Sequence, residues 1–457
     1  MSCGSETNQF ELRYFEELVY GTSPATGDMK IMRNAGVGGG VAKSTTTSEE
    51  IRSDRQIVDR IMTKKEPTKD ITGEFSFGTW DDWLEAALFS DWDQIHYASD
   101  DVEVTDTSTY QLPAGHGLTF LPGHIIAVAG FTLAANNGVK NVTVFATNDI
   151  TVSETIAIEA AGDDVTIDVL GYGSSDIEVL ASNIYELATG HGLTFIIGQT
   201  IFVTGFTDSA NNGAKTVSAF SGDQITVEET LVVEAAGDPV TVKWDTLSNG
   251  VDKKTFTVED DFTDVVKVRT MTGMAVGTFA LDIPSGSKVG VTLNLLGQNT
   301  TVGNSSAVTG TPIEPNDNEI MNAGDHVAEV YEGGVLLALV KDLSFQIENN
   351  PRGLDAVGSI ENICIAFGQT DVTHTMNVYF FDWTSYQKFL DNTASSLRFQ
   401  LGDANGTYYF NIPRVKFLNN AVNAGGPNQD VMAEGELGAM RDPTTDKTII
   451  ITKVTTT

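Results

Sequence analysis

The sequence predicts a mainly β protein in which a small all-β module occurs twice. Residues 99–169 recur as 174–244, at an offset of 75 positions and without a gap, and about half of the aligned residues are identical. A fixed offset of this length indicates a duplicated folding unit. A stacked repeat needs about three or more copies to bury a continuous core. With only two copies, each module is therefore expected to fold nearly alone.

Short apolar runs separated by turn residues predict the strands of the modules. In the first copy these runs lie at 125–129, 142–145, 150–152 and 165–169. They alternate or are rich in β-branched residues, as strands are. Asn137-Gly138 and Asn212-Gly213 fall between such runs and predict two-residue hairpin turns, in which both residues take a positive φ. About five short strands in roughly 70 residues predict a small barrel or sandwich.

The two flanks predict one β-sandwich-like domain with two short helices. The first helix is expected from Thr79 to about Leu88, with Thr79 as its N-cap and Asp82 accepting hydrogen bonds from unpaired backbone N–H groups. The second is expected at about 385–390. Strands are predicted at 73–78, 265–270, 278–283, 289–295, 344–347, 375–381, 397–401 and 408–412.

The modules are expected to be inserted into a surface loop of the flanking domain, since insertions survive where chain ends lie close together and exposed. This divides the chain into 1–98 and 245–457 for the flanking domain and 99–172 and 173–244 for the modules. The stretch 48–69 mixes both charges with apolar residues, after a flexible-looking glycine run at 36–40. It predicts either an amphipathic helix or an extended arm that orders against a neighbour.

The net charge of −35 is distributed unevenly. Residues 98–244 alone hold 19 acidic and 3 basic residues. A chain this acidic is a poor candidate for gripping nucleic acid, because that affinity comes largely from Lys and Arg neutralising phosphates. The charge indicates either solubility or a surface that repels a polyanion, which suits DNA that must pass without sticking.

Composition also bears on membranes and secretion. The sequence contains no apolar run of 18 residues, so no membrane insertion is expected. The first residues lack a basic start and an apolar core, so no secretory signal is expected. Cys3 and Cys364 are the two cysteines in the sequence. A disulfide framework is therefore excluded, which fits synthesis in a reducing cytoplasm.

A search for catalytic, metal or cofactor sites predicts none. The six histidines have no metal-ligand spacing and are interpreted as structural or surface imidazoles. The stretch 315–319 lacks the glycine and distal Glu of a calcium loop and is interpreted as a polar turn. Asp260, Asp261 and Asp264 are interpreted as a solvated acidic turn. The sequence predicts a structural or interaction protein rather than an enzyme.

Several blocks of the flanks resemble bacteriophage tail tube proteins, also called major tail proteins. The blocks are EEIRSDRQIVDRIMT (49–63), GEFSFGTWDDWLEAAL (73–88), SFQIENNPRGLDAVGS (344–359), FFDWTSYQKFL (380–390) and SLRFQLGDANGTYYFNIPRVKF (396–417). The modules are similar to small β domains that phages append to or insert into tail components. Several long motifs in the order of the family make this resemblance specific.

The resemblance implies a tail-tube β-sandwich or barrel domain that assembles into stacked hexameric rings around a DNA channel. Its partners would be further copies of the chain, the tape measure protein and phage DNA in the lumen, and the tail terminator and tail-tip proteins. Its location would be the virion tail, assembled in the bacterial host cytoplasm. Candidate contacts between rings or subunits are Glu50, Ile51, Arg52, Asp54, Arg55, Asp59, Arg60, Lys64 and Lys65.

Two folded modules do not fit inside a DNA-width lumen, so they are expected outside the tube. A contractile sheath would clash with them, which predicts a long, non-contractile tail. Two other classes stay open at this point. They are a cell-surface or virion adhesin with tandem β modules and the tube of a contractile injection system. A tail-associated hydrolase is a more distant third.

Overall fold

A computed structural model describes residues 4–162, 164–337 and 339–456. It is mainly β with two α-helices among the described residues, which confirms the predicted fold class. Cys3 and Asp163 lie outside the described residues. The chain forms two compact units. Unit 1 comprises residues up to Ser90, Asn249–Ser395 and Arg414–Met440, and unit 2 comprises Asp91–Ser248, Ser396–Pro413 and the residues from Arg441 onward.

The strands and helices are numbered in chain order. The first part of the chain holds β1 (Phe10–Glu16), β2 (Lys30–Ile31), β3 (Gly36–Thr47), β4 (Arg60–Glu74) and α1 (Asp81–Leu88). The module region holds β5 (His96–Ser99), β6 (Glu103–Val104), β7 (Thr109–Gln111), β8 (His124–Ala129), β9 (Gly138–Ala146), β10 (Asp149–Val152), β11 (Val165–Ser174), β12 (Glu178–Ala181), β13 (Ile184–Glu186), β14 (Thr200–Thr204), β15 (Gly213–Ser221), β16 (Gln224–Val227), β17 (Val240–Lys243) and β18 (Thr246–Ser248).

The remaining elements follow the modules. They are β19 (Phe256–Phe262), β20 (Lys267–Pro284), β21 (Gly290–Leu296), β22 (Asn299–Gly303), β23 (Val327–Glu332), β24 (Val335–Leu336), β25 (Val340–Glu348), β26 (Arg352–Leu354), β27 (Cys364–Ala366), β28 (Asp371–Tyr379), α2 (Thr384–Leu390), β29 (Ser395–Gly402), β30 (Gly406–Ala424), β31 (Val431–Ala439) and β32 (Ile450–Thr455).

Unit 1 is built on a continuous antiparallel run of eight strands, which belongs to a larger sheet that also includes β1, β2, β19 and β22. The order of the eight strands is β3, β4, β21, β20, β25, β28, β31 and the second half of β30 (414–424). Side chains alternate between the two faces of a strand. One face of this sheet carries buried apolar residues such as Ile71, Leu293, Phe279 and Phe345. This face forms the core of unit 1, and the opposite face is polar.

Helix α1 packs on the apolar face of this sheet. Trp80 and Trp83 are fully buried, and the Trp80 ring lies 6.4 Å from that of Phe279 in β20. The predicted N-cap was wrong by one residue, because Trp80 occupies the cap and makes no side-chain capping bond. Asp82 also differs from its predicted role, since its carboxylate accepts a hydrogen bond from the Tyr14 hydroxyl at 3.0 Å and pairs with Lys30 at 2.6 Å. A tertiary contact outweighs the local cap here.

The stretch 36–74 forms a long hairpin rather than a flexible run followed by a helix. Strand β3 pairs with β4 from Gly36 opposite Thr72 to Thr47 opposite Arg60. Gly39 takes a φ of +94°, and a Cβ there would lie 2.3 Å from the Thr68 carbonyl oxygen. The glycine run therefore serves a close approach of two strands. The amphipathic-helix interpretation was wrong, because 60–74 is a strand paired with β3, and ordering against a neighbour stays a prediction.

Unit 2 contains both modules, and each has its own apolar core. The first core includes Tyr110, Phe120 and Ile167, and the second includes Tyr185, Phe195 and Val242. All four strands predicted in the first copy are present. The copies also share a strand, since β11 pairs with β8 of the first copy and with β17 of the second. Each module thus buries a separate core while one ladder joins them.

The predicted Asn-Gly hairpin turns were wrong. Asn137 has a φ of −95° and ends a short 3-10 helix (Ala134–Asn136) instead of occupying a turn. Its side chain holds the loop, since Nδ2 donates to the Phe131 carbonyl at 2.7 Å and Oδ1 accepts from the Phe131 N–H at 3.0 Å. Asn212 makes the same two bonds with Phe206 in the second copy. The amide side chain, rather than a positive φ, explains why Asn precedes Gly here.

Candidate functional site: a polar sheet face and an exposed hairpin

The polar face of the eight-stranded sheet in unit 1 is strongly acidic. In β20, β25 and β28, the residues between the buried ones are polar, as the sequence alternation requires. The carboxylates on this face are Glu66, Asp70, Glu74, Asp282, Asp342, Glu348, Asp371, Glu434 and Glu436. Lys416 of β30 lies on the same face. The face therefore presents a concentrated negative field to whatever lies in front of it.

Short polar contacts between neighbouring strands hold the acidic side chains in place. Asn294 Nδ2 donates to Asp70 Oδ1 at 2.7 Å, and Thr278 Oγ1 donates to Glu348 Oε2 at 3.0 Å. The hydroxyls of Ser344 and Thr375 lie 2.5 Å apart. Neutral amides and hydroxyls are the partners in these contacts. They order the carboxylates without cancelling their charge.

The outer part of the β3–β4 hairpin carries the nine residues that the sequence singled out as contact candidates. Glu50, Ile51, Arg52, Asp54, Arg55 and Asp59 lie in the connection between the strands, and Arg60, Lys64 and Lys65 lie in β4. The connection is exposed to solvent, and Ile51 is 99% exposed. Ile57, Ile61 and Met62 are exposed as well. Exposed apolar side chains grouped on one arm are typical of a contact surface.

Ion pairs place five of these candidates in two groups. At the tip, Arg52 pairs with Asp54 at 2.8 Å and with Glu50 at 3.9 Å. At the base, Lys64 pairs with Asp355 at 3.0 Å and Lys65 with Glu361 at 2.7 Å. The base lysines thus tie the hairpin to its own unit. The charged tip instead pairs locally.

A buried charge cluster lies beneath the sheet and escaped the sequence analysis. Asp260 of β19 is 1% exposed, forms an ion pair with Lys69 and accepts a hydrogen bond from Arg269 Nε at 2.7 Å. Burial lowers the pKa of Lys69, although Asp260 opposes this shift. The interpretation of Asp260 as part of a solvated turn was wrong, because Asp260 and Asp261 lie in β19. Removing one partner would leave a buried charge uncompensated.

Histidine and carboxylate groups in the described ranges show no arrangement suited to a metal ion. No cluster of three or more potential ligands occurs there. The imidazoles of the repeated GHGLTF motif have a structural contact, since His191 Nδ1 accepts the Leu193 N–H at 2.8 Å and His116 Nδ1 accepts the Leu118 N–H at 2.9 Å. Across the same ranges, no helix has the length and apolarity needed to cross a membrane.

Comparison with known families identifies the fold. The family model described as phage tail tube protein matches residues 7–232 and 219–439, which together cover most of the chain. The chain belongs to the phage tail tube protein family. The family predicted from the flanking motifs is thereby confirmed. The chain matches no curated protein.

A phage tail tube protein is a structural protein of the virion tail that assembles into a tube. The acidic sheet face and the exposed hairpin are therefore candidate surfaces for that assembly. Sequence alternation in the strands contained a signal for the acidic face. The pairing order that places its carboxylates side by side was needed to recognise it.

Proposed function

We propose that this protein polymerises as stacked rings into the tube that conducts DNA during ejection. Each ring would contain six tube-fold units, the hexameric arrangement that the family resemblance implies. The observation that carries the proposal is the eight-stranded sheet of unit 1, which has one apolar face, one acidic face and two open edges. Closing such sheets into a ring removes edges that would otherwise pair without control.

In this proposal the acidic face lines the lumen. DNA phosphates would be repelled by the carboxylates of Asp282, Asp342, Glu434 and Glu436, so the genome would slide instead of adhering. Tape measure protein would occupy the same lumen before ejection without a specific binding site. Ring stacking is a head-to-tail contact that grows until another protein stops it, which is the role of a tail terminator and a tail tip.

The β3–β4 hairpin would contact the next ring. Its tip carries both charges and an almost fully exposed Ile51. Mixed charges at such a contact fix its register more than they add affinity. Glu50, Arg52, Asp54, Arg55, Asp59 and Arg60 would supply this register, while Lys64 and Lys65 would hold the base of the hairpin.

The tube part would be supplied by 1–98 and 245–457, and the inserted modules by 99–172 and 173–244. Two modules with separate cores are too bulky for a DNA channel, so they would lie on the exterior. A sheath would clash with them, which favours a non-contractile tail. The particle would assemble in the host cytoplasm from copies of this chain.

Electron microscopy of the purified protein at rising concentration tests this proposal. Hollow rings or tubes of uniform width, with knobs outside, are the expected result. A variant that combines Ile51→Asp with Arg52→Glu should form single rings that stack poorly, because both the apolar and the charged contacts of the tip are changed. The variant Glu319→Lys changes an exposed charge away from the hairpin and should stack normally. Protein that stays dispersed at every concentration, even with tail-tip proteins added, would refute the tube proposal.

A further inference from the structure

The eight-stranded sheet of unit 1 consists of two equivalent groups of four strands. The first is β3–β4–β21–β20 and the second is β25–β28–β31–β30. In each group an antiparallel pair is followed by a helix and then by a long strand, and the strand after the long one lies between it and the second strand of the pair. Both long strands carry one register shift, between Val276 and Thr278 and between Phe417 and Asn419.

The helices confirm this equivalence at the level of single residues. Helix α1 follows β4 and helix α2 follows β28, and each begins directly after a tryptophan, Trp80 or Trp383. An aromatic residue stands three positions further on in both, Trp83 or Tyr386. The two groups are thus copies of one structural plan, separate from the duplication of the modules.

One seam between the two groups is visible within the chain. There β20 pairs with β25 antiparallel, from Thr278 opposite Glu348 to Pro284 opposite Asp342. The corresponding strands at the outer edges are β30 and β3. Among the described residues, β3 pairs with β4 alone, and the 414–424 half of β30 pairs with β31 alone. Each edge lacks the neighbour that its counterpart has.

The difference in burial between α1 and α2 also indicates that a neighbouring strand is missing beside β30. Helix α1 covers the internal seam, where Asn349, just after β25, donates to the carbonyls of Ala87 and Val276 at 3.0 and 3.3 Å. Five residues of α1 are buried, whereas none of α2 is. Trp80 is fully buried, whereas its counterpart Trp383 is 59% exposed, and Leu390 is 58% exposed. Helix α2 therefore has exposed apolar side chains like those with which α1 covers the β20–β25 pairing, but within the described part of the chain there is no corresponding strand pairing beneath it.

We infer that β30 of one copy pairs with β3 of the next copy, in the register of the internal seam, and that three chains close the ring. This inference rests on the proposed tube. The two groups can be aligned by their bulges and by the β3–β4 and β25–β28 registers. When the internal β20–β25 pairing is transferred to the outer edges by this alignment, Asn419 lies opposite Ala42 and Gly425 lies opposite Gly36. Helix α2 then covers the seam between the two copies. Each four-strand group is one tube-fold unit. Because each chain has two such groups, three chains supply the six tube-fold units of a ring.

The width of the resulting barrel agrees with this count. Strands about 4.8 Å apart and tilted by about 40° each take roughly 6 Å of circumference. Three chains give a backbone diameter of about 48 Å, and side chains of about 5 Å on each wall leave about 38 Å. Two chains leave only about 22 Å. Duplex DNA, with two grooves each about 8 Å deep, is on the order of 20 Å across. The channel of a three-chain ring is therefore wide enough for a hydrated duplex, whereas that of a two-chain ring is too narrow.

Disulfide trapping in assembled tubes tests the seam. In a background with Cys3→Ser and Cys364→Ser, the pair Ala42→Cys and Asn419→Cys should oxidise between chains, because directly opposite residues have Cα atoms about 4.5–5.5 Å apart. Both residues are exposed on the polar face. The matched control combines Ala42→Cys with Asn423→Cys, four residues out of register and about 13 Å away, and should not oxidise.

Denaturing gels should show linked dimers and trimers and nothing larger for the first pair. Linkage by the control pair instead, or no linkage in well-formed tubes, would overturn the register. The mass of single rings of the unmodified protein supplies a measurement that needs no variant. Rings of three times 49.0 kDa are expected, and rings of six chains would overturn the chain count while leaving the tube proposal intact. Protein that forms no rings would refute both.

Discussion

The two tryptophans that precede the helices allow an effect on the stability of the chain to be separated from an effect on its assembly. Trp80 is fully buried and its Nε1 donates to the Glu74 carbonyl at 3.0 Å, while Trp383 is 59% exposed. Replacing a buried tryptophan by alanine destabilises a protein by about 3–5 kcal/mol, and the lost hydrogen bond contributes about 1 kcal/mol of this. Trp80→Ala should therefore lower the free energy of unfolding of unit 1 by roughly 3–5 kcal/mol.

Trp383→Ala should leave the unassembled chain within about 0.5 kcal/mol of the parent, as exposed substitutions usually do. It should nevertheless reduce assembly into rings, because α2 loses the indole side chain that corresponds to that of Trp80. The assay is urea unfolding of unassembled protein followed by far-ultraviolet circular dichroism, together with electron microscopy of each variant. Equal destabilisation of the free chain by both variants would refute the reasoning, as would normal rings from Trp383→Ala.

Three further predictions concern unit 2, the core of unit 1 and the acidic face. Asn136→Ala should destabilise the first module by about 1–3 kcal/mol, because the Ala157 N–H loses its acceptor at 2.8 Å, and hydrogen exchange at that N–H should speed up. Burial lowers the pKa of His374 to about 3, so its contribution to stability is complete above pH 6.5 and is lost as pH falls towards 3. His374→Leu should weaken that acid dependence in urea unfolding at several pH values. Glu434→Lys with Glu436→Lys should make tubes retain duplex DNA at low salt in co-sedimentation, and salt should release it.

Each of these predictions has its own control. Asn211 makes the same contacts in the second module, so Asn211→Ala should leave hydrogen exchange in the first module unchanged and destabilise the second module by a similar amount. An unchanged acid dependence in His374→Leu would contradict the role assigned to burial. Glu314→Lys with Glu319→Lys changes charge off the sheet face by the same amount. DNA retention by that variant would show that net charge, rather than the lumen face, governs binding.

Much of the fold could be predicted because its signals are local. The modules were found from a fixed sequence offset, and their strands from apolar alternation. The family was recognised from long motifs in the flanks. The first helix was placed within a residue or two, but its cap was wrong because Trp80 is held by the core and Asp82 by Lys30 and Tyr14. Tertiary contacts, rather than the local preference for a capping residue, therefore determined where this helix begins.

The remaining features depend on pairing across long sequence separations. Asp260 looked like a residue of a solvated turn, but strand β19 buries it beside Lys69, 191 residues earlier in the chain. The run of glycines at 36–40 looked flexible, but Gly39 is needed where β3 approaches Thr68 closely. The four-strand repeat left little trace in the sequence beyond the paired tryptophans. Its members are interleaved with loops of very different length, so the strand order was needed to recognise it.

The position of the modules has a consequence for how densely the particle can display them. They lie between α1 and β19, whereas the matching stretch between α2 and β29 has only four residues. Because both four-strand groups reside in one gene product, one of them could gain a large insertion while the other kept its short connection. Around a ring of three chains the module pairs would recur every 120° and leave alternate positions bare. That spacing gives bulky appendages room that six identical neighbours would deny them.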